Sequence, residues 1–373
     1  MQPTRMKSST KKVDKTFLFL TTILVVLGIT IFSSASLGLL TSNGAKFQAV
    51  TFNQIVLGLV GGSISAFILS RINYQIWRKY AFYIFITAGV LMLLVFIPGL
   101  RFCAKGACRW VDAGPITFQP AEIYKIAFVM YTAAWFASVK QKVGTFKLGT
   151  VPFLIFIAIS GGLVLAQPDT DTFMVIAASG LAIFVTAGGK WRDMIIMGLI
   201  GALLLAGLVA TRPYLKQRIM TFMDPSKDPT GSGYQIQQSL IAVGSGGLFG
   251  RGFGQSIQKF NFLPEPIGDS IFAVAAEEFG FVGSTIIVLL YLLFTLQGYR
   301  IAVRAQDLFG TYLVVGIITL IIIQSYLNIS AMLAITPLSG TPLLFISHGG
   351  TALFFALSSV GIVLNVSKYQ KKG

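Results

Sequence analysis

Ten stretches of this chain are long and apolar enough to cross a lipid bilayer, and that recurrence restricts the fold more than any other feature. They lie at 17–40, 47–70, 80–100, 118–138, 148–167, 172–189, 194–211, 271–298, 309–335 and 344–367. A hydrocarbon core of about 30 Å needs about 20 residues of helix. Inside lipid every backbone N–H and C=O must bond within its own segment, which leaves helices as the solution for such runs. The last two stretches share an uncharged region, divided at TPLSGTP because Pro337, Gly340 and Pro342 form a breaker cluster. The fold class read from this pattern is all-α. It is a polytopic membrane protein of about ten transmembrane helices, with one large loop, residues 212–270, between helices 7 and 8.

Composition agrees: of 373 residues, 54% are apolar and only 11% charged, against about a quarter in average chains. The net charge of +16 does not point to nucleic acid, because the cations sit in connectors rather than on one face of a domain. The basic start MQPTRMKSSTKKVDK looks like the head of a signal peptide. The apolar run after it is too long, and no soluble chain follows, so it reads as a retained first span. On the N-terminal side of the membrane lie Arg5, Lys7, Lys11, Lys12, Lys15, Arg71, Arg78, Lys79, Lys140, Lys142, Lys147, Lys190, Arg192, Arg300, Arg304, Lys368, Lys371 and Lys372. The opposite short loops carry only Lys46, Arg101, Lys105 and Arg109. The positive-inside rule then places both termini in the cytoplasm and residues 212–270 outside. The expected organisation is a basic tail (1–16), a single ten-helix membrane domain (17–367) and a second basic tail (368–373). Cys103 and Cys108 share one outer loop; a short disulfide and two free thiols are both compatible with that spacing.

A loop of this length is rarely passive, and the candidate chemistry concentrates in and around it. His348 is the single histidine, so a His-centred network is not expected. Asp269 stands where the loop meets the eighth span. A carboxylate there touches water on one side and a lower dielectric on the other, which suits a general base; it equally suits a helix N-cap. Glu277 and Glu278 fall inside the span, where acids are paired or functional. Asp224-Pro225 and Asp228-Pro229 read as turn formers. AVGSGGLFGRGFGQS lacks the lysine–serine pair of a phosphate loop, and its glycines read as permitting close backbone approach. The loop's Arg and Lys suit a diphosphate or lipid headgroups. In QPAEIYKIAF, Glu122 and Lys125 lie three apart on one helical face and can pair; Asp169 in QPDTD can reach Lys125 if their helices are neighbours. TPLSGTPLLFISHGG predicts an irregular backbone at the membrane edge, tolerated only where protein or water covers it.

The segments GACRWVDAGPITFQPAEIYK, AQPDTDT, FMDPSKDPTGSGYQIQQSLIAVGSGGLFGRGFGQSIQKFNFLPEPIGDSIFAVAAEEFGFVG and TPLLFISHGG resemble the SEDS family of FtsW- and RodA-like peptidoglycan polymerases, in matching order over nearly the whole chain. The ending GIVLNVS leans towards the FtsW-like division polymerase. The resemblance implies a glycosyltransferase that polymerises lipid II on the outer face of the bacterial cytoplasmic membrane. It implies Asp269 as the catalytic aspartate after LPE. Arg109, Glu122, Lys125 and Asp169 match family motif positions and, with Arg218, Lys259 and Glu265 from the loop, make up the expected substrate-binding set. Its expected partners are lipid II, the nascent glycan strand, membrane lipids and a class B penicillin-binding protein acting as transpeptidase. A divalent cation such as Mg2+ or Mn2+ is compatible with the chemistry, and no organic cofactor is expected. Ile267-Gly268 replaces the family's His-Thr before the aspartate. Asp171 is added in QPDTD, and Leu344 and His348 replace proline and tyrosine. A lipid II flippase and a non-catalytic scaffold for the transpeptidase are the alternative readings.

Overall fold

A computed structural model describes residues 12–42, 44–104, 107–112, 117–228 and 231–370. The basic tail up to residue 11, Lys105, Pro229 and residues 371–373 lie outside the described residues.

Each predicted stretch contains a helix. In chain order these are α1 (Lys15–Ser42); α2 (Gly44–Phe52), which continues through a π-helical segment (Asn53–Gly61) into α3 (Gly62–Arg71); α4 (Gln75–Leu93); α5 (Pro120–Val139); α6 (Val151–Leu165); α7 (Thr170–Thr186); α8 (Trp191–Thr211); α11 (Ile271–Arg304); α12 (Leu308–Met332); and α13 (Gly350–Ser367). Between α8 and α11 the loop adds α9 (Pro213–Met223) and α10 (Ser232–Ser245). Among the described residues, eight helical stretches are long and apolar enough to cross a membrane. The two others are α7, with 17 residues, and α5, which carries Glu122 and Lys125 in its first half.

Local chemistry sets the ends. Pro120 and Pro213 open α5 and α9, where a missing N–H costs nothing. Asp14, Asp169 and Asp307 accept the first free amides of α1, α7 and α12, from Phe17, Thr172 and Gly310. The connector after α4 forms a small antiparallel sheet, absent from the all-α expectation: β1 (Arg101–Ala104), β2 (Ala107–Asp112) and β3 (Thr117–Phe118), in that order. Cys103 pairs with Cys108 across β1 and β2 and is joined to it by a disulfide, which settles the choice left open by the spacing.

The bundle is arranged around α12, which packs against α5, α7 and α11. Gly316 allows a close approach to two of them: a Cβ there would lie 2.5 Å from Val129 of α5 and 2.7 Å from Ile183 of α7. By contrast α8 has no buried residue at all.

The long span α11 is broken at Gly280, whose φ of 67° lies in the left-handed region that favours glycine. The break frees backbone groups that the loop then takes up. Arg251 N and Gly252 N donate to the carbonyls of Glu277 and Glu278, and Phe281 N and Val282 N donate to those of Gly247 and Leu248. The glycine-rich stretch therefore does approach a backbone closely, and that backbone is α11. A Cβ on Gly246 or Gly250 would lie 2.1 Å from a carbonyl oxygen of this helix.

Candidate active site

Asp269 lies half-buried on the turn that enters α11, and the surrounding backbone is held from three directions. His348 N donates to Ile267 O at 2.7 Å and Ser347 Oγ to Gly268 O at 2.8 Å, both from the segment before α13. Asn328 of α12 donates to Asp269 O at 2.8 Å. Gln235 of α10 donates to Ser270 Oγ at 2.9 Å. Within the turn, the amides of Gly268 and Ser270 both donate to Glu265 O, and Glu265 itself is exposed, in a left-handed conformation (φ 50°). An acid on a turn tied this way has its Cα position fixed before any ligand arrives, which is the preorganisation a catalytic carboxylate requires.

Asn328 also donates to Thr341 O at 2.9 Å, and Gln324, one helical turn earlier, donates to Pro342 O at 3.3 Å. The irregular 337–347 backbone is thus covered by protein, as its composition requires: Ser339, Thr341 and Leu343 to Ile346 are buried. Gln324 Oε1 accepts a 2.6 Å hydrogen bond from Lys125 Nζ, which also meets Glu122 at 2.8 Å. Lys125 is 2% exposed, so its charge is compensated by Glu122 inside the bundle. The reach from Lys125 to Asp169 expected from sequence is not made. Asp169 instead pairs with Arg109 of β2 at 3.5 Å. Arg109 further donates to the carbonyls of Gln167 and Pro168, so the small sheet is pinned to the QPD turn. Burial raises the Asp169 pKa, and the Arg109 guanidinium partly opposes that rise.

Asp171, the acid added to the family pattern, receives Arg218 of α9 at 3.1 Å and the amide of Gly340 at 3.0 Å. It ties the loop helix α9 to the 337–343 segment. Asp269, Asn328, Gln324, Lys125, Glu122, Asp171 and Arg218 are therefore linked through one set of contacts around residues 339–342.

Lys259 belongs to a different cluster. It is 1% exposed, pairs with Glu278 at 2.8 Å and donates to Ser34 Oγ and Gly254 O. Glu277 meanwhile accepts the Ser256 hydroxyl at 2.6 Å and the Ile257 and Gln258 amides. These two acids hold the loop from within, and the Lys259 ammonium is enclosed by its partners rather than presented to a ligand. Asp224 and Asp228 form turns as expected, accepting amides from Ser226 and from Gly231 and Ser232. Sequence reasoning passed over Gln324, Asn328, Gln235 and Ser347. The signal for the first two was present, since two amide side chains four apart in an uncharged span are expected to bond across helices. Among the described residues, no three of His, Cys, Asp and Glu come together as a metal site. Asp169 and Asp171 are already engaged by arginines, and no step is derived through a divalent cation.

The family described as "Cell cycle protein", comprising FtsW, RodA and SpoVE, matches residues 14–372. The chain is 39% identical over 310 residues to the stage V sporulation protein E of Bacillus subtilis, covering 83% of this chain and 85% of that one. It is 36% identical over 357 residues to the probable peptidoglycan glycosyltransferase FtsW of Geobacter sulfurreducens, covering 96% and 95%. The fold is also that of a chain in a solved structure described as "Structural coordination of polymerization and crosslinking by a peptidoglycan synthase complex". That likeness has a TM-score of 0.78 at 23% identity, covering 95% of this chain and 97% of that one. The chain is a multi-pass membrane protein and belongs to the SEDS family of FtsW, RodA and SpoVE.

Proposed function

We propose that this protein is a peptidoglycan glycosyltransferase that polymerises lipid II on the outer face of the bacterial cytoplasmic membrane, with both termini inside. Residues 17–367 act as one unit, and 212–270 form its outer loop. The observation that carries the reading is the turn at 265–270, where Asp269 stands on a backbone bonded to α10, α12 and the segment before α13.

Asp269 takes the proton from the 4-hydroxyl of the acceptor's terminal GlcNAc as that oxygen attacks the anomeric carbon of the donor's MurNAc. The new C–O bond forms as the bond to phosphate breaks, the anomeric centre inverts, and undecaprenyl diphosphate departs with the electron pair. Departure of a diphosphate needs charge stabilisation rather than a strong acid, and we assign that role to Arg109 and Arg218, which are partly exposed although paired with Asp169 and Asp171. The structural neighbour, a chain of a peptidoglycan synthase complex of polymerization and crosslinking, supports a partner transpeptidase of the penicillin-binding class. The relatives' names support division or elongation as the setting, with the chain's ending leaning to division.

The test is glycan polymerisation by purified protein, with and without such a partner. Asp269→Asn lowers turnover by about 10²–10⁴-fold, the usual contribution of a positioned base. Full polymer yield from the variant removes Asp269 from the chemistry.

A further inference from the structure

A cleft of about 740 Å³ opens between α1 and α3, floored by α13, at the end of the bundle that carries both described termini. Its walls are apolar, with Leu18 and Val26 from α1, Leu59 and Phe67 from the opposite span, and Leu357 and Leu364 from α13. Val26 lies eleven residues beyond Lys15 at the start of α1, or roughly 16 Å at 1.5 Å per residue. That is about half the hydrocarbon thickness of a bilayer, so the cleft is as deep as one leaflet.

Its mouth is cationic: Lys12, Arg71 and Lys368 all line it. Two of them are held in place. Lys368 Nζ donates to Ser70 O at 2.8 Å, and the Arg71 guanidinium lies 4.3 Å above the Phe67 ring. Neither they nor Lys12 pair with a carboxylate among the described residues. The acids near this end are committed elsewhere: Asp14 to Phe17 N and Gln297, Asp307 to Tyr74 and Gln75. Partial burial, and then the neighbouring Arg71 charge, lower the Lys368 pKa, as expected of cations gathered with no anion between them.

We propose that this cleft is a binding site for one anionic diacyl phospholipid, with an acyl chain between α1 and α3 and the phosphate at Lys12, Arg71 and Lys368. Apolar walls alone accept any lipid tail. The selecting element is the fixed cationic mouth, which adds headgroup attraction to the general pull of basic residues towards an anionic surface. The inner leaflet follows from the orientation proposed above, whereas binding itself depends on neither that orientation nor glycan synthesis.

The test uses the full chain, delipidated in neutral detergent and offered phosphatidylglycerol and phosphatidylcholine with identical acyl chains. Retained lipid is counted by native mass spectrometry. Wild type keeps phosphatidylglycerol over phosphatidylcholine by roughly tenfold. The preference falls to near parity in Arg71→Gln/Lys368→Gln and persists in Arg101→Gln, a cation on the opposite sheet. Equal retention of the two lipids by wild type overturns the proposal, as does an unchanged preference in the double variant. Displacement of phosphatidylglycerol by equimolar undecaprenyl phosphate also overturns it, because the occupant is then a polyprenyl lipid. Should the double variant fail to fold, photo-crosslinking of wild type with phosphatidylglycerol carrying a diazirine in its acyl chain decides the matter. Adducts within 18–26, 59–67 or 357–364 support the site, and adducts confined to other helices refute it.

Discussion

Helices α8 and α12 are both spans of more than 20 residues, yet one has no buried residue and the other is 78% buried over its most apolar window. Their sequences differ in one telling way. From Met194 to Ala210, α8 carries no polar side chain, whereas α12 carries Thr319, Gln324 and Asn328, all buried and bonded outside their own helix. Lipid is as apolar as leucine, so hydrophobicity does not decide which helix goes to the centre of a membrane bundle. Polar side chains do, because an unbonded amide or hydroxyl in hydrocarbon is costly and finds its partner on another helix.

That contrast is broken most severely at Lys125→Ala, which removes the partner of Glu122 beside α12. The expected loss is about 3–5 kcal/mol, as for other buried charges left alone, read from the thermal midpoint of the purified protein. The double change Glu122→Gln/Lys125→Met sharpens the result by recovering most of that stability. If glycan synthesis stays lost in the double variant, the pair acts on substrate; if synthesis returns, its role is structural. A wild-type midpoint in Lys125→Ala would remove the argument that polar contacts fix α12. Next is Gly316→Leu, which forces a side chain against Val129 and Ile183 and costs up to about 3 kcal/mol by overpacking; retained stability would show the helices free to part. Asn328→Leu leaves the carbonyls of Asp269 and Thr341 without their donor, at about 2 kcal/mol. Its turnover per folded molecule falls as well, and equal turnover would mean that the Asp269 turn holds its place without α12. The smallest effect belongs to α8, where Leu203→Ala changes stability by less than about 0.5 kcal/mol. A larger shift would place a neighbour on that helix.

The same contrast explains what was legible beforehand. Uncharged runs locate the helices, with ends that miss by up to about seven residues at α4, α11 and α13, since length and hydropathy are local properties, and Asp169 and Asp269 stand beside helix starts for an equally local reason. Partner choice is not local. Lys125 had Asp169 and Glu122 in reach on sequence grounds, and only the packing of α12 against α5 brings Gln324 to it. Lys259 read as a ligand for a diphosphate because nothing in its own segment predicts Ser34, a residue 225 positions earlier, as a neighbour. The break at Gly280 was illegible for the same reason: it depends on backbone groups supplied by residues 247–252.

The break at Gly280 has a mechanical consequence. Because the 247–252 stretch is bonded to peptide groups on both sides of that glycine, it and the start of α11 form one stiff body, with the proposed base at its tip. Bonds on either side of the glycine brace the break, so a push on the outer segment is carried to the proposed base and to the rest of the span together.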